Sequence, residues 1–180
     1  MKLKLSLLIL IISNLSFGQK KTTMNIYNIE LNTIDNESIT LEKFKGKHLL
    51  IVNVASECGY TPQYKDLKVL QNNYKDNLVV LGVPCNQFGK QEPGTAIQIK
   101  KFCAVTYGVA FLLTEKIAVK GENQHPLYQW LTKKEFNHEF DSGVKWNFEK
   151  YLISPEGKLL ENFKSKITPL DVSITDYLKK

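Results

Sequence analysis

One cysteine stands where the chain could make a sulfur reactive. Cys58 lies between an apolar run, residues 49–52, and the dipeptide Thr61-Pro62, which is typical of a helix start. This pattern places Cys58 on a turn that leads from a strand into a helix. The partial positive charge at a helix N-terminus favours a thiolate over a thiol. A buried structural cysteine is the alternative, and Cys58 alone does not decide between the two.

The other cysteines and the histidines form no recognisable metal motif in the sequence. The chain has three cysteines, Cys58, Cys85 and Cys103, and three histidines. They show neither a Cys-x-x-Cys pair nor the spacing of a zinc site, so we expect no metal and no cofactor. The missing Cys-x-x-Cys also disfavours a thiol-disulfide oxidoreductase. Because only two of the three thiols can pair within the chain, at least one remains available for redox chemistry.

A second polar segment follows the next predicted strand. An apolar run at residues 78–81 leads into a loop, residues 84–94, that is rich in amides, glycine and proline. A capping box then opens a helix predicted over residues 95–107. In α/β proteins, active sites usually lie at the carboxyl ends of the parallel strands. Cys58 and the loop both fall at such ends.

The elements around these segments predict an α/β fold, with a central mixed sheet flanked by helices and an added N-terminal β-hairpin. The predicted elements are a hairpin over residues 26–41, a strand over 49–55, a helix over 61–75 with Thr61 as N-cap and Pro62 as its first residue, a strand over 78–81, a helix over 95–107, a strand within 111–119, a short helix from Pro126, a loop over 132–145, strands over 146–154 and 159–163, and a helix from Thr168-Pro169. We expect a single domain over residues 19–180.

Composition excludes several classes of protein. The chain has 180 residues, 43% of them hydrophobic, which is enough for one globular domain with its own core. Its formal net charge is +6, but the lysines are scattered among acidic residues. Nucleic-acid binding requires a clustered basic face, so we expect no nucleic-acid partner.

The first residues are typical of a signal peptide. Lys2 and Lys4 precede an apolar run, Leu5–Ile12, and Ser16-Phe17-Gly18 places small residues at a cleavage site. Cleavage after Gly18 would leave Gln19 as the first residue. The apolar run is shorter than the roughly 20 residues that cross a bilayer, so an uncleaved anchor is the weaker alternative. We therefore expect an exported protein, periplasmic or secreted, with no stable membrane association after cleavage.

Three motifs follow one another along the chain: Asn53-Val54-Ala55-Ser56-x-Cys58-Gly59-x-Thr61, Pro84-Cys85-Asn86-Gln87-Phe88-Gly89-x-Gln91-Glu92-Pro93-Gly94 and Trp146-Asn147-Phe148-x-Lys150. They resemble the signatures of the glutathione peroxidase family, in that family's order. The resemblance spans residues 24–178. It implies a thioredoxin-like fold with an added N-terminal hairpin, and a thiol-dependent peroxidase that reduces hydrogen peroxide and organic hydroperoxides.

The resemblance assigns a catalytic role to four residues. Cys58 matches the active-site cysteine or selenocysteine, whose anion attacks the peroxide O–O bond and becomes a sulfenic or selenenic acid. Its partners by motif are Gln91, Trp146 and Asn147. Their neutral N–H groups would stabilise the anionic sulfur and the leaving oxygen.

Other interpretations of these partners stay open in the sequence. Gln87 competes with Gln91, because both lie in the same loop. Gln91 is favoured because it directly precedes Glu-Pro-Gly, as the family's catalytic glutamine does, and Asn86 and Gln87 would then brace the loop. Without the motifs, Trp146 would be assigned to the core and Asn147 to a turn.

The resemblance also implies how the sulfenic acid is reduced. In thioredoxin-dependent members, a second cysteine on the helix after Glu-Pro-Gly forms a disulfide with the first, and Cys103 lies on that helix. Cys103 lies far along it, so the helix would have to unwind, because disulfide Cα atoms must approach within about 7 Å. A half-buried helix residue is the alternative for Cys103, and Cys85 is expected to be structural.

The expected partners are a peroxide substrate and a thiol reductant, either a thioredoxin-like protein or glutathione. The family's selenocysteine members carry a longer loop that supports tetramers, whereas the segment between Pro126 and Trp146 is short. This favours a monomer and a thioredoxin-like reductant. The alternative function is a non-enzymatic peroxide sensor or redox relay, which would pass the oxidation of Cys58 to a partner protein.

Overall fold

The computed structural model describes residues 24–179, so the predicted signal peptide lies outside the described residues. The strands are β1 (Glu30–Asn32), β2 (Ser38–Thr40), β3 (His48–Val54), β4 (Leu78–Pro84), β5 (Leu112–Leu113), β6 (Lys150–Ile153) and β7 (Leu159–Phe163). The helices are α1 (Gln63–Asn73), α2 (Ala96–Tyr107), α3 (Pro126–Thr132), α4 (Lys134–Asn137) and α5 (Val172–Leu178), with 3₁₀ turns at Ile26–Asn28 and Leu41–Phe44. Over residues 24–179, no helix has the length and apolar character needed to cross a membrane.

The five-stranded sheet has the order β5-β4-β3-β6-β7, and β1 and β2 form a separate antiparallel hairpin. Strands β3, β4 and β5 are parallel, whereas β6 pairs antiparallel with both β3 and β7. All seven residues of β3 are buried, as its apolar run predicts for a strand covered on both faces. The predicted mixed sheet with an added hairpin is confirmed.

Two hydrophobic cores lie on opposite faces of this sheet. One packs the N-terminal segment and α3 against the sheet, and it contains Cys85. The other packs α1, α2 and α5, and it contains Cys58 and Cys103. Side chains alternate between the faces of a strand, which is why Leu49 joins the first core and Leu50 the second. The two cysteines that the family resemblance pairs therefore share one core.

Helix α2 begins and ends as its sequence predicts. The Thr95 side chain accepts from the Gln98 N–H, and the Gln98 side chain accepts from the Thr95 N–H, which completes the capping box. Gly108 ends the helix in a left-handed conformation with φ of 60°, and its N–H donates to the Ala104 carbonyl. This local chemistry fixes the helix that carries Cys103.

Two predicted helix starts are wrong. Helix α1 begins at Gln63 and Thr61 does not cap it, because the Thr61 hydroxyl is engaged in the turn around Cys58. Helix α5 begins at Val172, and its cap is the Asp171 side chain, which accepts from the Ser173 N–H at 2.9 Å. At α1 a competing hydrogen bond removes the predicted cap, whereas at α5 Asp171 supplies a cap further along the chain.

Other element bounds also differ from the predictions. The first hairpin segment is a 3₁₀ turn at Ile26–Asn28, and the strand predicted within 111–119 is reduced to the two residues of β5. The predicted loop over 132–145 contains α4, and the strand predicted from Trp146 begins at Lys150. The last difference matters most, because it places Trp146 and Asn147 in a turn.

Candidate active site

Cys58 lies on a short turn between β3 and α1, as predicted. Its N–H donates to the Thr61 hydroxyl at 2.9 Å, and that hydroxyl donates to the Ala55 carbonyl at 2.8 Å. The turn directs the Tyr60 N–H toward the Cys58 sulfur, with N to Sγ at 3.4 Å. Cys58 is buried, and the N–H that its sulfur accepts belongs to Tyr60, three residues before α1 begins. A backbone N–H in this position can donate to an anionic sulfur without adding a permanent positive charge.

Gln91 connects the loop after β4 to the Cys58 turn. Its carbonyl accepts from the N–H of Glu57, the neighbour of Cys58, at 3.0 Å. Its side-chain Oε1 accepts from Asn147 Nδ2 at 3.0 Å. Because the oxygen of the Gln91 amide is engaged, its Nε2 hydrogens are the donors that remain.

The rest of this loop is braced as predicted for Asn86 and Gln87. The Gln87 side-chain oxygen accepts from the N–H groups of Val119 and Lys120 at 2.7 and 3.1 Å. The Asn86 side chain accepts from the Glu92 N–H at 2.8 Å. Gln87 thus stabilises the loop, and Gln91 is the glutamine that binds residues of the other two motifs.

The third motif supplies Trp146 and Asn147 from the turn before β6. Trp146 is 40% exposed, which excludes the core interpretation, and its ring centroid lies 5.8 Å from that of Phe88. Asn147 is fully buried and binds Gln91. Cys58, Gln91 and the Trp146-Asn147 pair therefore come together at the carboxyl ends of β3 and β4.

The N–H groups of the motif residues do not bind the Cys58 sulfur in the reduced protein. Within residues 24–179, the hydrogen bond to the Cys58 sulfur comes from Tyr60, and Gln91, Trp146 and Asn147 donate none to it. The site thus combines a buried sulfur with neutral N–H groups on the neighbouring Gln91 loop and on the Trp146-Asn147 turn. In the same part of the chain no group of acidic, histidine and cysteine side chains could hold a metal ion.

All three cysteines are free thiols, and the two besides Cys58 differ in their surroundings. Cys103 is buried on α2, where burial raises the pKa of its thiol to about 11, and the adjacent Tyr64 hydroxyl opposes that rise only in part. Burial also raises the pKa of Cys85, whose sulfur accepts from the Gln87 N–H at 3.5 Å in the other core. These surroundings agree with a structural role for Cys85.

A family model described as glutathione peroxidase matches residues 26–132. The chain belongs to the glutathione peroxidase family. A glutathione peroxidase-like peroxiredoxin of Saccharomyces cerevisiae is 45% identical over 161 residues, which cover 88% of this chain and 99% of the yeast protein. The thioredoxin/glutathione peroxidase BtuE of Escherichia coli is 41% identical over 175 residues, which cover 86% of this chain and 96% of BtuE.

Solved structures agree with this glutathione peroxidase assignment. The crystal structure of Trgpx in its apo form is 35% identical, covers 87% of this chain and 97% of its own, and superposes with a TM-score of 0.67. A thioredoxin family protein from Chlorobium tepidum, 14% identical over 87% of this chain and 97% of its own, superposes with a TM-score of 0.61. The second likeness shows the fold alone, and it confirms the predicted thioredoxin-like class.

Lys150, the last residue of the third glutathione peroxidase motif, has a structural position. Its ammonium is fully buried and donates to Gln63 Oε1 and the Ile167 carbonyl at 2.5 Å each, and to the Ser165 carbonyl at 3.3 Å. Burial lowers the pKa of Lys150 to about 7. The side chain joins β6 to α1 and to the segment after β7, and so holds the end of the sheet near the site.

Sequence reasoning missed Glu92, although it lies inside the second motif. Its side chain is fully buried, and among the described residues neither carboxylate oxygen has a well-formed hydrogen bond. Ser56 faces the carboxylate and helps to lower its pKa, but burial is the larger effect and the pKa of Glu92 is raised. A cavity of about 400 Å³ between the Cys58 turn and α2 is lined by Glu92, Ser56 and Phe102. Motif membership was the signal for Glu92, but nothing local indicated its burial.

The raised pKa of Glu92 predicts a pH-dependent effect of the variant Glu92→Gln. A carboxyl whose folded pKa lies above its ordinary value of 4.5 adds stability below pH 4.5, and that stability is lost as the pH rises through the folded pKa. Removing the charge should therefore raise the melting temperature at pH 8 relative to the unsubstituted protein, with a smaller difference or none at pH 4.5. Thermal unfolding followed by circular dichroism at both pH values measures this.

Glu149 offers a matched control, because its buried carboxylate has partners. It accepts from the Lys145 N–H at 2.8 Å and lies 3.2 Å from Lys164 Nζ. The variant Glu149→Gln should not raise the melting temperature at pH 8. A gain for Glu92→Gln that is equal at both pH values would count against the buried charge as its cause.

Proposed function

We propose that this protein is a thiol peroxidase that reduces hydrogen peroxide and organic hydroperoxides through Cys58. Its membership of the glutathione peroxidase family supports this, as do the names of its yeast and E. coli relatives. The observation that carries the proposal is the joining of the Cys58 turn to Gln91 through the Glu57 N–H, and of Gln91 to Asn147. A structural cysteine would not require this assembly of neutral donors.

In the first step, the Cys58 thiolate attacks one peroxide oxygen and the O–O bond breaks. The sulfur becomes a sulfenic acid, and the other oxygen leaves with the bonding electron pair as an alkoxide or hydroxide, which takes up a proton. Negative charge grows on that leaving oxygen in the transition state. Free N–H groups of Gln91, Asn147 and Trp146 are suited to stabilise it.

In the second step, we propose that Cys103 resolves the sulfenic acid. The Cys103 sulfur bonds to the Cys58 sulfur, and the hydroxyl leaves as water with the proton of the Cys103 thiol. Both residues lie in the core between α1, α2 and the sheet, whereas Cys85 lies in the other core. The step requires the Cα atoms of Cys58 and Cys103 to come within about 7 Å of each other, and we expect α2 to unwind to allow this. A dithiol of the thioredoxin type or two glutathione molecules would then reduce the disulfide.

The variant Cys103→Ser separates these two steps. Cys58 should still react with peroxide at an unchanged rate, but no disulfide should form. Turnover with a thioredoxin system should fall at least about tenfold, because the reductant then lacks a disulfide to attack. Peroxide consumption measured with thioredoxin and with glutathione as donor, together with intact-protein mass, tests the proposal and identifies the reductant.

Cys85→Ser is the control, and it should form the disulfide normally because Cys85 lies in the other core. Full thioredoxin-dependent turnover of Cys103→Ser would contradict the resolving role. The alternative of a non-enzymatic relay is not favoured, since both relatives carry names of enzymes. A relay would consume one equivalent of peroxide and then stop in the presence of either donor.

A further inference from the structure

Asn53 is a buried polar side chain that the proposed reaction does not use. It lies near the end of β3, the strand that leads to Cys58, and it interrupts the apolar run of that strand. Its side-chain Nδ2 donates to the Trp146 carbonyl at 2.9 Å, and its Oδ1 accepts from the Glu149 N–H at 3.1 Å. One amide therefore holds both ends of the turn that carries the Trp146-Asn147 pair.

The backbone of Asn53 adds two further contacts to the same turn. In the first, the N–H of Asn53 donates to the Glu149 carbonyl at 3.4 Å. In the second, the Asn53 carbonyl accepts from the Phe148 N–H at 2.6 Å. Regular pairing between β3 and β6 reaches only as far as Val52 and Lys150. Beyond that pair the Glu149 N–H donates to the Asn53 side chain, while the Asn53 carbonyl accepts from Phe148, so the pairing of β3 with the turn becomes irregular.

The turn needs this support because Phe148 has a left-handed backbone, with φ of 62°. A residue with a side chain rarely adopts this conformation unless its surroundings impose it. The Phe148 ring is fully buried and meets Tyr64 edge to face, with centroids 5.5 Å apart. Asn53 and this ring together fix the conformation that directs the Asn147 side chain to Gln91.

We propose that Asn53 is a positioning residue for the peroxidase reaction, which sets where Trp146 and Asn147 stand relative to the Cys58 sulfur. The inference rests on the proposed function. One rigid strand carries both the nucleophile, at its exit, and the amide that holds the donors. The Asn53 side chain donates to Trp146 and accepts from Glu149, and neither bond goes to the Cys58 sulfur, so Asn53 acts through the turn.

A purely structural role predicts a different outcome, and the chain contains a matched control for it. Asn137 is also buried, and its Nδ2 donates to the carbonyls of Trp130 and Phe140 at 3.0 Å each. Its Oδ1 accepts from the Glu139 N–H at 2.7 Å. Like Asn53, Asn137 stabilises a turn through side-chain hydrogen bonds to backbone groups, but this turn lies outside the site.

The test compares Asn53→Ala with Asn137→Ala in the full-length reduced protein. Two rate constants of Cys58 are measured for each folded variant. The first is for its oxidation by hydrogen peroxide in a single turnover. The second is for its alkylation by iodoacetamide, at a pH above which the alkylation rate no longer rises. Oxidation needs the donors for the leaving oxygen, whereas alkylation at that pH reports only access to a thiolate. We expect Asn53→Ala to lower the rate constant of oxidation about 10- to 100-fold and the rate constant of alkylation less than threefold. Asn137→Ala should change neither by more than about twofold.

The pair Asn53→Ala and Trp146→Phe tests whether Asn53 acts through the turn. If it does, Asn53→Ala lowers oxidation by a smaller factor in the Trp146→Phe background than in the unsubstituted protein. If Asn53→Ala does not fold, Asn53→Asp replaces it, since the isosteric carboxylate keeps the acceptor for Glu149 and loses the donor to Trp146. Its oxidation rate should also fall at least about tenfold.

The outcomes separate the two proposals. No peroxide-dependent oxidation of Cys58 in the unsubstituted protein overturns the proposed function. Normal oxidation of the unsubstituted protein, with the folded Asn53 variant within twofold of it, overturns the positioning role alone. A variant in which the rate constants of oxidation and alkylation fall by the same factor also overturns the positioning role, because that result indicates a general disturbance of the Cys58 turn.

Discussion

Replacing Cys58 with serine is expected to lower peroxide turnover by at least about 10³-fold. A serine hydroxyl is not ionised near neutral pH, and its oxygen cannot take up the peroxide oxygen as sulfur does. The backbone contacts of Cys58 with Thr61 do not involve the sulfur, so the turn should persist in the variant. Peroxide consumption with a thiol donor and thermal unfolding of both proteins measure the effect.

Cys85→Ser is the control for this prediction. Cys85 is also a buried thiol that follows a central strand, but it packs in the core on the other face of the sheet. The variant should keep a turnover within about twofold of that of the unsubstituted protein, because Cys85 does not contact Gln91, Trp146 or Asn147. A folded Cys58→Ser protein with more than a tenth of the original turnover would contradict the assignment of the nucleophile.

Trp146→Phe is expected to lower the rate of Cys58 oxidation about 10²-fold, the effect of removing one donor to a developing anion. Phenylalanine keeps an aromatic ring against Phe88 but loses the indole N–H. Trp146 is 40% exposed, so the variant should lose little stability. Stopped-flow measurement of single-turnover oxidation separates this effect from later reduction steps.

The chain has one other tryptophan, which provides the matched control. Trp130 is buried on α3, and its Nε1 donates to the Met24 carbonyl at 3.0 Å. Trp130→Phe should therefore lower the melting temperature without changing the oxidation rate. Equal oxidation rates for Trp146→Phe and the unsubstituted protein would show that Trp146 only packs beside the site.

The parts of the fold that were predictable are those with strong local signals. The continuous apolar runs of β3 and β4 predicted two buried central strands, and the capping box fixed the start of α2. Because parallel strands end at the same edge of a sheet, these elements alone brought the Cys58 turn and the Gln91 loop together. Motif resemblance then added Trp146 and Asn147, which are distant in sequence.

The parts that were not predictable depend on hydrogen bonds between distant segments. Thr61 has the sequence context of a helix cap, and only the folded chain offers its hydroxyl the Ala55 carbonyl and the Cys58 N–H. Asn53 binds Trp146 across 93 residues of chain. The left-handed backbone of Phe148 likewise has no local signal, since no glycine marks it.

The pKa shift of Glu92 also could not be predicted from the local sequence. The position of Glu92 in a polar loop gives no local sign of burial, but folding buries it beside Ser56, and burial raises its pKa. Cys103 is similar, because its helix was predictable but the burial that raises the pKa of its thiol was not. Burial is a property of the assembled cores and cannot be obtained from single segments.

The most direct test of the proposed function is the identity of the sulfur that first receives oxygen. The Cys103→Ser protein is treated with one equivalent of hydrogen peroxide in the presence of a 1,3-dione that traps sulfenic acid, and its peptides are analysed by mass spectrometry. We predict one adduct, on Cys58, and none on Cys85. An adduct on Cys85, or peroxide consumption with Cys58 unmodified, would contradict the assignment of Cys58 as the peroxide-reducing residue.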